Sequence, residues 1–186
     1  MMNLAEYRNK NARLADFLPW AALVGQGIVL NKDGSFQRTA RFRGPDLDSA
    51  VPAELVAVAG RLNNAFRRLG SGWAIFVEAQ RHAAATYPNS TFPDSASALV
   101  DAERKADFEE AGSHFESGYF LTFTYLPPAE DAARTEAWLY EGRERAGIDP
   151  KEILNTFVDR TNRVLALLDG FMPECLWLDS SETLTY

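Results

Sequence analysis

Residues Gly27 to Ser49 read GIVLNKDGSFQRTARFRGPDLDS. Two apolar-rich runs flank Asn31-Lys32-Asp33-Gly34, and a burst of arginines then leads into Gly44-Pro45-Asp46. A loop that cradles phosphate needs glycines that end a strand and open a helix, so that free backbone N–H groups and the positive end of the helix dipole meet the anion. Here Gly25 and Gly27 lead instead into the apolar run Ile28-Val29-Leu30. Asp33-Gly34 is a turn pair, because Gly accepts the positive φ of a tight reversal and Asp hydrogen-bonds its own backbone. The stretch therefore predicts a β-hairpin.

Outward from the hairpin, Val51 to Leu69 predicts a helix: Leu55, Val58, Ala59, Leu62, Ala65, Phe66 and Leu69 recur at helical spacing. Asp48 or Ser49 is the expected cap, Pro52 falls in the first turn where no donor is missed, and Gly70 is the stop. GWAIFVEAQRH, from Gly72, predicts a strand whose doubly apolar first half suits the centre of a sheet. YPNSTFPDS is a loop, Ser95 to Ala111 a charged outer helix, and GYFLTFTYLPP an aromatic strand closed by Pro127-Pro128. After a polar insert from Ala129 to Gly147 comes the strongest helix. Asp149 is its cap, Pro150 its first residue, and Ile153, Leu154, Phe157, Val158, Thr161, Val164, Leu165 and Leu168 its buried stripe. ECLWLDSSETLTY ends with a short strand and a capping-box pattern over Asp179-Ser180-Ser181-Glu182. So short a helix lacks the length to propagate from its own nucleus, and it reads as cut from a longer chain. The expected architecture is α+β, a mixed or largely antiparallel sheet of about five strands with helices mainly on one face.

The 186 residues are 46% apolar, enough for a genuine core. A formal charge of −7 and a pI near 4.9 argue against a module that works by neutralising phosphates, and weak, salt-sensitive DNA binding is the most that such a chain is expected to show. Arginine outnumbers lysine 15 to 4, which in an alanine-rich chain reads as coding bias. One cysteine, Cys175, allows no internal disulfide and fits a reducing compartment. No stretch approaches the roughly 20 apolar residues of a membrane span.

Several chemistries lack their residues. The positions before Lys10, Lys32, Lys105 and Lys151 are Asn, Asn, Arg and Pro, so no Walker A lysine follows a glycine. No Gly-x-Ser-x-Gly elbow occurs, and His82 and His114 are not spaced as a metal pair. Two alternatives stay open. Glu78, Gln80 and His82 alternate onto one side of a strand, where acid and base could serve a small enzyme together with Cys175; a strand emerging into solvent gives the same pattern. Arg38, Arg41 and Arg43 form the one dense basic stretch. Arg41 and Arg43 share a face opposite Phe42, able to meet an acidic partner or phosphate.

The block EYRNKNARLADFLPWAALVGQGIVLNKDGSFQRTARFRGPDLDS, Glu6 to Ser49, resembles the opening of TrbE-like conjugal transfer ATPases, the CagE/TrbE/VirB family of type IV secretion ATPases. GWAIFVEAQR and the terminal LWLDSSETLTY are similar to the same amino-terminal domain, whereas the insert is much less so. The resemblance implies a single non-catalytic amino-terminal domain over residues 1–186, truncated before a RecA-like motor that carries the ATP and magnesium motifs. It implies a place on the cytoplasmic side of the inner membrane, peripheral to it. The implied partners are inner-membrane subunits of the secretion system and other protomers of the ATPase, with no strong nucleic-acid binding. RLADFLPWAAL, Arg13 to Leu23, is the expected docking segment. Leu14, Phe17, Leu18 and Trp20 cluster there ahead of the first strand, and Pro19 bars a continuous helix. Such a cluster either folds back as a lid, the favoured place for Trp20, or offers anchors, for which Phe17 and Arg13 are the candidates.

Overall fold

The computed structural model describes residues 14–84, 86–110, 114–128 and 150–186. Arg13, the cap position Asp149 and the insert 129–147 lie outside the described residues. The described chain runs α1 (Leu14–Phe17), β1 (Trp20–Gly25), β2 (Ile28–Asn31), β3 (Phe36–Arg43), α2 (Pro52–Phe66), β4 (Trp73–Ala83), α3 (Ser95–Glu110), β5 (Phe115–Tyr125), α4 (Pro150–Asp169), β6 (Glu174–Trp177) and α5 (Ser180–Thr185). These strands form one antiparallel sheet in the order β1-β2-β3-β5-β4, with β6 also on β3. β3 is the hub. Its first half pairs with β2 and its second half with β6 on one edge, while β5 runs along its whole other edge.

The fold is α+β with a six-stranded sheet, and the opening hairpin is the β2–β3 turn. Ser35 N–H donates to Asp33 Oδ1 at 2.9 Å, and Gly34 holds φ +81°. Phe36, Ala40, Leu121, Phe123 and Cys175 point to one face, where α2 and α4 cover them. α4 buries Ile153, Phe157, Thr161, Val164 and Leu168, as its 3.6-residue stripe requires. Phe157 stacks on Phe36 at 5.7 Å and on Trp73 at 5.5 Å, which locks α4 onto strands β3 and β4. α3 buries none of its residues, in keeping with its charge.

Three expectations are corrected. The segment ahead of the hairpin is itself a strand: β1 starts at Trp20, right after Pro19, and pairs through Leu23 and Val29 with β2. Trp20 is 52% exposed and is no lid. Its run WAALVG alternates too little to announce a strand, and pairing across the tight Gly25-Gln26-Gly27 turn decides it. Second, β4 is not central. Among the described residues it pairs with β5 alone and leaves Phe76 and Val77 exposed, because β3, not β4, holds the position between two partners. Third, neither Asp48 nor Ser49 caps α2: the Val51 N–H donates to Glu54 Oε2 at 3.0 Å, closing the first turn from inside.

Candidate docking face of the sheet

Alternation along β3 puts Gln37, Thr39, Arg41 and Arg43 on the face that α2 and α4 leave bare. Register adds Thr122 and Phe120 from β5, Phe76, Glu78, Gln80 and His82 from β4, Val29 from β2, and Trp20 and Leu23 from β1. Across this face lies α5. Asp179 Oδ1 accepts from Glu182 N at 2.8 Å and Glu182 Oε2 accepts from Asp179 N at 2.9 Å, so the capping box read from sequence is formed. Its start is pinned by the β1–β2 turn: Gly27 N donates to Ser180 Oγ at 3.3 Å, and Gly27 has φ +64°. A Cβ there would stand 2.2 Å from the Leu178 carbonyl oxygen, so only glycine fits.

Tyr186 fastens the other end. Its ring packs on Phe120 at 4.6 Å between centroids, and its hydroxyl donates to Glu78 Oε2 at 2.6 Å. Behind it the buried Thr39 and Thr122 hydroxyls bond each other at 2.8 Å. Two polar pairs, Thr39–Thr122 and Tyr186–Glu78, thus form a line across the bare face from β3 to β4. Burial first, and then the bond to Glu78, push the Tyr186 phenol up to about 12. The Tyr186 bond, followed by that from Gln80 at 2.9 Å, holds the Glu78 carboxyl below its ordinary value.

Between this line and β1 opens a groove of about 460 Å³. Trp20, Ala22, Leu23, Val29 and Leu184 make it mainly apolar, with Gln37, Thr39, Glu78, Thr183 and Tyr186 as its polar contribution. Leu184 is 74% exposed at its lip. The volume lies in the range of ligand pockets, yet no cluster of His, Cys, Asp and Glu able to hold a metal occurs among the described residues.

The residues singled out in the sequence fall into separate places. Trp20 lines the groove; Phe17 is exposed in α1 and Leu18 half-buried, both ahead of β1. Arg41 and Arg43 share the bare face as alternation requires, but Arg41 is held by Glu174 at 2.9 Å and Glu182 at 3.6 Å. Arg38 faces the helices, with Nη1 donating to Asn162 Oδ1 at 2.8 Å and its guanidinium 3.9 Å above the Trp177 ring; burial pushes it down to about 10. The arginine stretch is thus divided between two faces, and two of its three members are engaged within the fold. That weakens the case for a phosphate-binding patch.

The three residues of the enzyme alternative are not brought together. Glu78 and His82 share a face but stand four residues apart along β4, about 13 Å at ~3.3 Å per residue. Cys175 is 2% exposed on the opposite, helix-covered face, where burial and then Asp169 push its thiol up to about 11. A nucleophile needs the reverse shift. Missed from sequence were Thr39, Thr122, Leu184 and Tyr186. Period-two alternation in β3 and β5 could have put the threonines on one face, but no local signal foretells where a terminal tyrosine docks.

Residues 27–133 match the family described as the type IV secretion system ATPase VirB4/TrbE, N-terminal domain. A conjugal transfer protein TrbE of Rhizobium radiobacter is 39% identical over 143 residues, 75% of this chain and 17% of that protein. The first portion of a probable conjugal transfer protein TrbE of Sinorhizobium fredii (strain NBRC 101917 / NGR234) is 40% identical over 140 residues, 74% of this chain and 93% of that protein. The type IV secretion system protein virB4 of Brucella suis biovar 1 (strain 1330) is 34% identical over 67 residues, 36% of this chain and 8% of that protein. The chain thus spans about a sixth of the first relative and nearly all of the second. A matched profile over more than half of the chain, on the sheet that carries the groove, leads to one conclusion: this chain belongs to the N-terminal domain family of the VirB4/TrbE type IV secretion ATPases.

Proposed function

We propose that this domain is a docking element of a conjugal transfer ATPase. It engages inner-membrane subunits of the secretion system from the cytoplasmic side, while ATP and magnesium are handled by a RecA-like domain elsewhere in the longer protein. The observation that carries the reading is the apolar groove on the bare sheet face. Trp20, Leu23 and Leu184 keep 52%, 40% and 74% of their surface wet beside a polar line that holds the groove's floor in shape. Exposed aromatic and aliphatic anchors around a concave centre are what interfaces bury. Among the described residues no helix is long and apolar enough to cross a membrane, so attachment would run through partner subunits.

The test replaces Trp20 and Leu23 together by Ser and measures both melting temperature and capture by the inner-membrane subunits of the same secretion system. Lost capture at an unchanged melting temperature is the expected result; retained capture removes the groove from the docking surface. Calorimetry on the same chain is expected to show no magnesium-dependent ATP binding. Micromolar binding would end the non-catalytic reading.

A further inference from the structure

We propose that two copies of this domain join through the outer edges of their β4 strands, running antiparallel and centred on Gln80, so that one sheet continues through both. The edge shares Glu78 with the groove but presents a different set of backbone groups, and its test does not depend on the docking reading.

The first observation is the edge itself. β4 is 11 residues long and, among the described residues, pairs only with β5. Natural edge strands are blunted by proline, bulges or charges that guard the free N–H and C=O row. β4 has no proline, and its register with β5 is unbroken from Trp73 to Ala83. Its one arginine is no guard, because the Arg81 guanidinium lies 4.4 Å over the Phe115 ring of the neighbouring strand. Val77 and Phe76, 68% and 59% exposed, flank the edge with apolar surface. Among the described residues only β4 and β5 continue beyond Phe42 and its partner Tyr119, as a two-stranded ribbon of the kind that is marginal in water without a third strand.

The second observation fixes which groups face outward. Gly72 C=O accepts from Leu126 N–H, and Ala84 N–H donates to His114 C=O, both at 2.8 Å. In an antiparallel strand the N–H and C=O of one residue point to the same side and alternate along the chain. Even-numbered residues therefore bond β5, and Val77, Ala79 and Arg81 offer their N–H and C=O to a newcomer.

The third observation selects the occupant and the register. A two-fold axis normal to the sheet keeps each face continuous, so residues of like parity oppose one another. Centring on Glu78 or on Arg81 sets a charge against its own copy, which is unfavourable. Centring on Gln80 sets Glu78 against His82 of the second copy, twice, with Gln80 facing Gln80. His82 already lies opposite Glu116 on β5, so each junction carries a row Glu116–His82–Glu78 across three strands. The outward bonds then link Ala79 with Arg81 in both directions. β4 is thus complementary to itself, carboxylate opposite imidazole, which a general extended peptide need not be.

The experiment is sedimentation equilibrium on the full 186-residue chain at rising concentration, with two variants. The wild type is expected to reach dimer mass in the high micromolar range. Ala79→Pro removes an outward N–H without touching the β5 ladder, and is expected to sediment as a monomer with an unchanged melting temperature. Gln80→Cys meets its own copy at a position where opposed Cα atoms lie about 4.5 Å apart, within disulfide reach. It is expected to form a covalent dimer on mild oxidation, where Ala79→Cys does so far less; the native Cys175 is buried and does not compete. A wild type that stays monomeric overturns the proposal, even if it takes up an extended peptide from an inner-membrane subunit. So does cross-linking stronger at position 79 than at 80, or a dimer that survives Ala79→Pro. Should Ala79→Pro lower the melting temperature, the Gln80→Cys and Ala79→Cys pair decides alone.

Discussion

The two faces of the sheet are built from the same strands, residue by residue in alternation, and behave as different materials. On the helix side Phe36, Ala40, Phe123 and Phe157 are fully buried, and each aromatic there touches another. On the bare side Thr39 and Thr122 are buried too, yet they are held by hydroxyl bonds under a helix of six residues. Dispersion and hydrophobic burial scale with contact area, whereas a hydrogen bond yields a small net gain and a larger loss when one partner is left alone. Stability should therefore reside mainly on the helix side.

The sharpest attempt to break this contrast is Phe157→Ala, which empties a site between Phe36 and Trp73 and should cost about 3–5 kcal/mol in denaturant unfolding. A loss near that of a surface change would erase the distinction. On the bare side Thr39→Val leaves Thr122 short of a partner and should cost about 1 kcal/mol, while Thr39→Val with Thr122→Val should recover part of it, as a double-mutant cycle reads directly.

Tyr186→Phe sharpens the contrast through pH. The Glu78 carboxyl is held low by Tyr186, so its share of stability is present above the ordinary carboxyl range and vanishes as pH falls through the lowered value. The Tyr186 phenol is raised from 10 to about 12, so its share is complete below pH 10 and disappears as pH climbs toward about 12. Melting curves of the variant should lose the alkaline limb and part of the acid limb, since Gln80 still bonds Glu78, and NMR titration should find Glu78 moved back up. An unchanged alkaline limb would show that the Tyr186 phenol is not buried as described. Smallest of all is Arg41→Ala. Its ion pairs with Glu174 and Glu182 are exposed, and their loss should stay under about 1 kcal/mol and fade with salt.

Much of the fold was legible in short windows. Asp33-Gly34 announced the β2–β3 turn, a 3.6-residue stripe announced α4 and its five buried residues, and Asp179 with Glu182 announced the cap of α5. In each case the deciding energy lies within a few residues: a positive φ, one apolar face, two reciprocal bonds to the backbone. The absence of a glycine before any lysine was likewise a fact of adjacent residues, as was the family block from Glu6 to Ser49.

What only the tertiary structure decided was the order of the strands, and with it which residues share each surface. β4 has the apolar first half of a central strand but lies at the edge, because β5 fits against both β3 and β4 through aromatic neighbours far apart in the chain. Arg38 and Arg41 are three residues apart, yet one stacks on Trp177 beneath α4 and the other pairs with acids across the bare face. Tyr186 finds Glu78 over a separation of 108 residues and so turns a short terminal helix into one wall of a groove. Turns, caps and stripes are stabilised where they are written. Strand order, groove and exposed edge depend on pairings whose partners are distant in sequence, and no window of a few residues contains both members of such a pair.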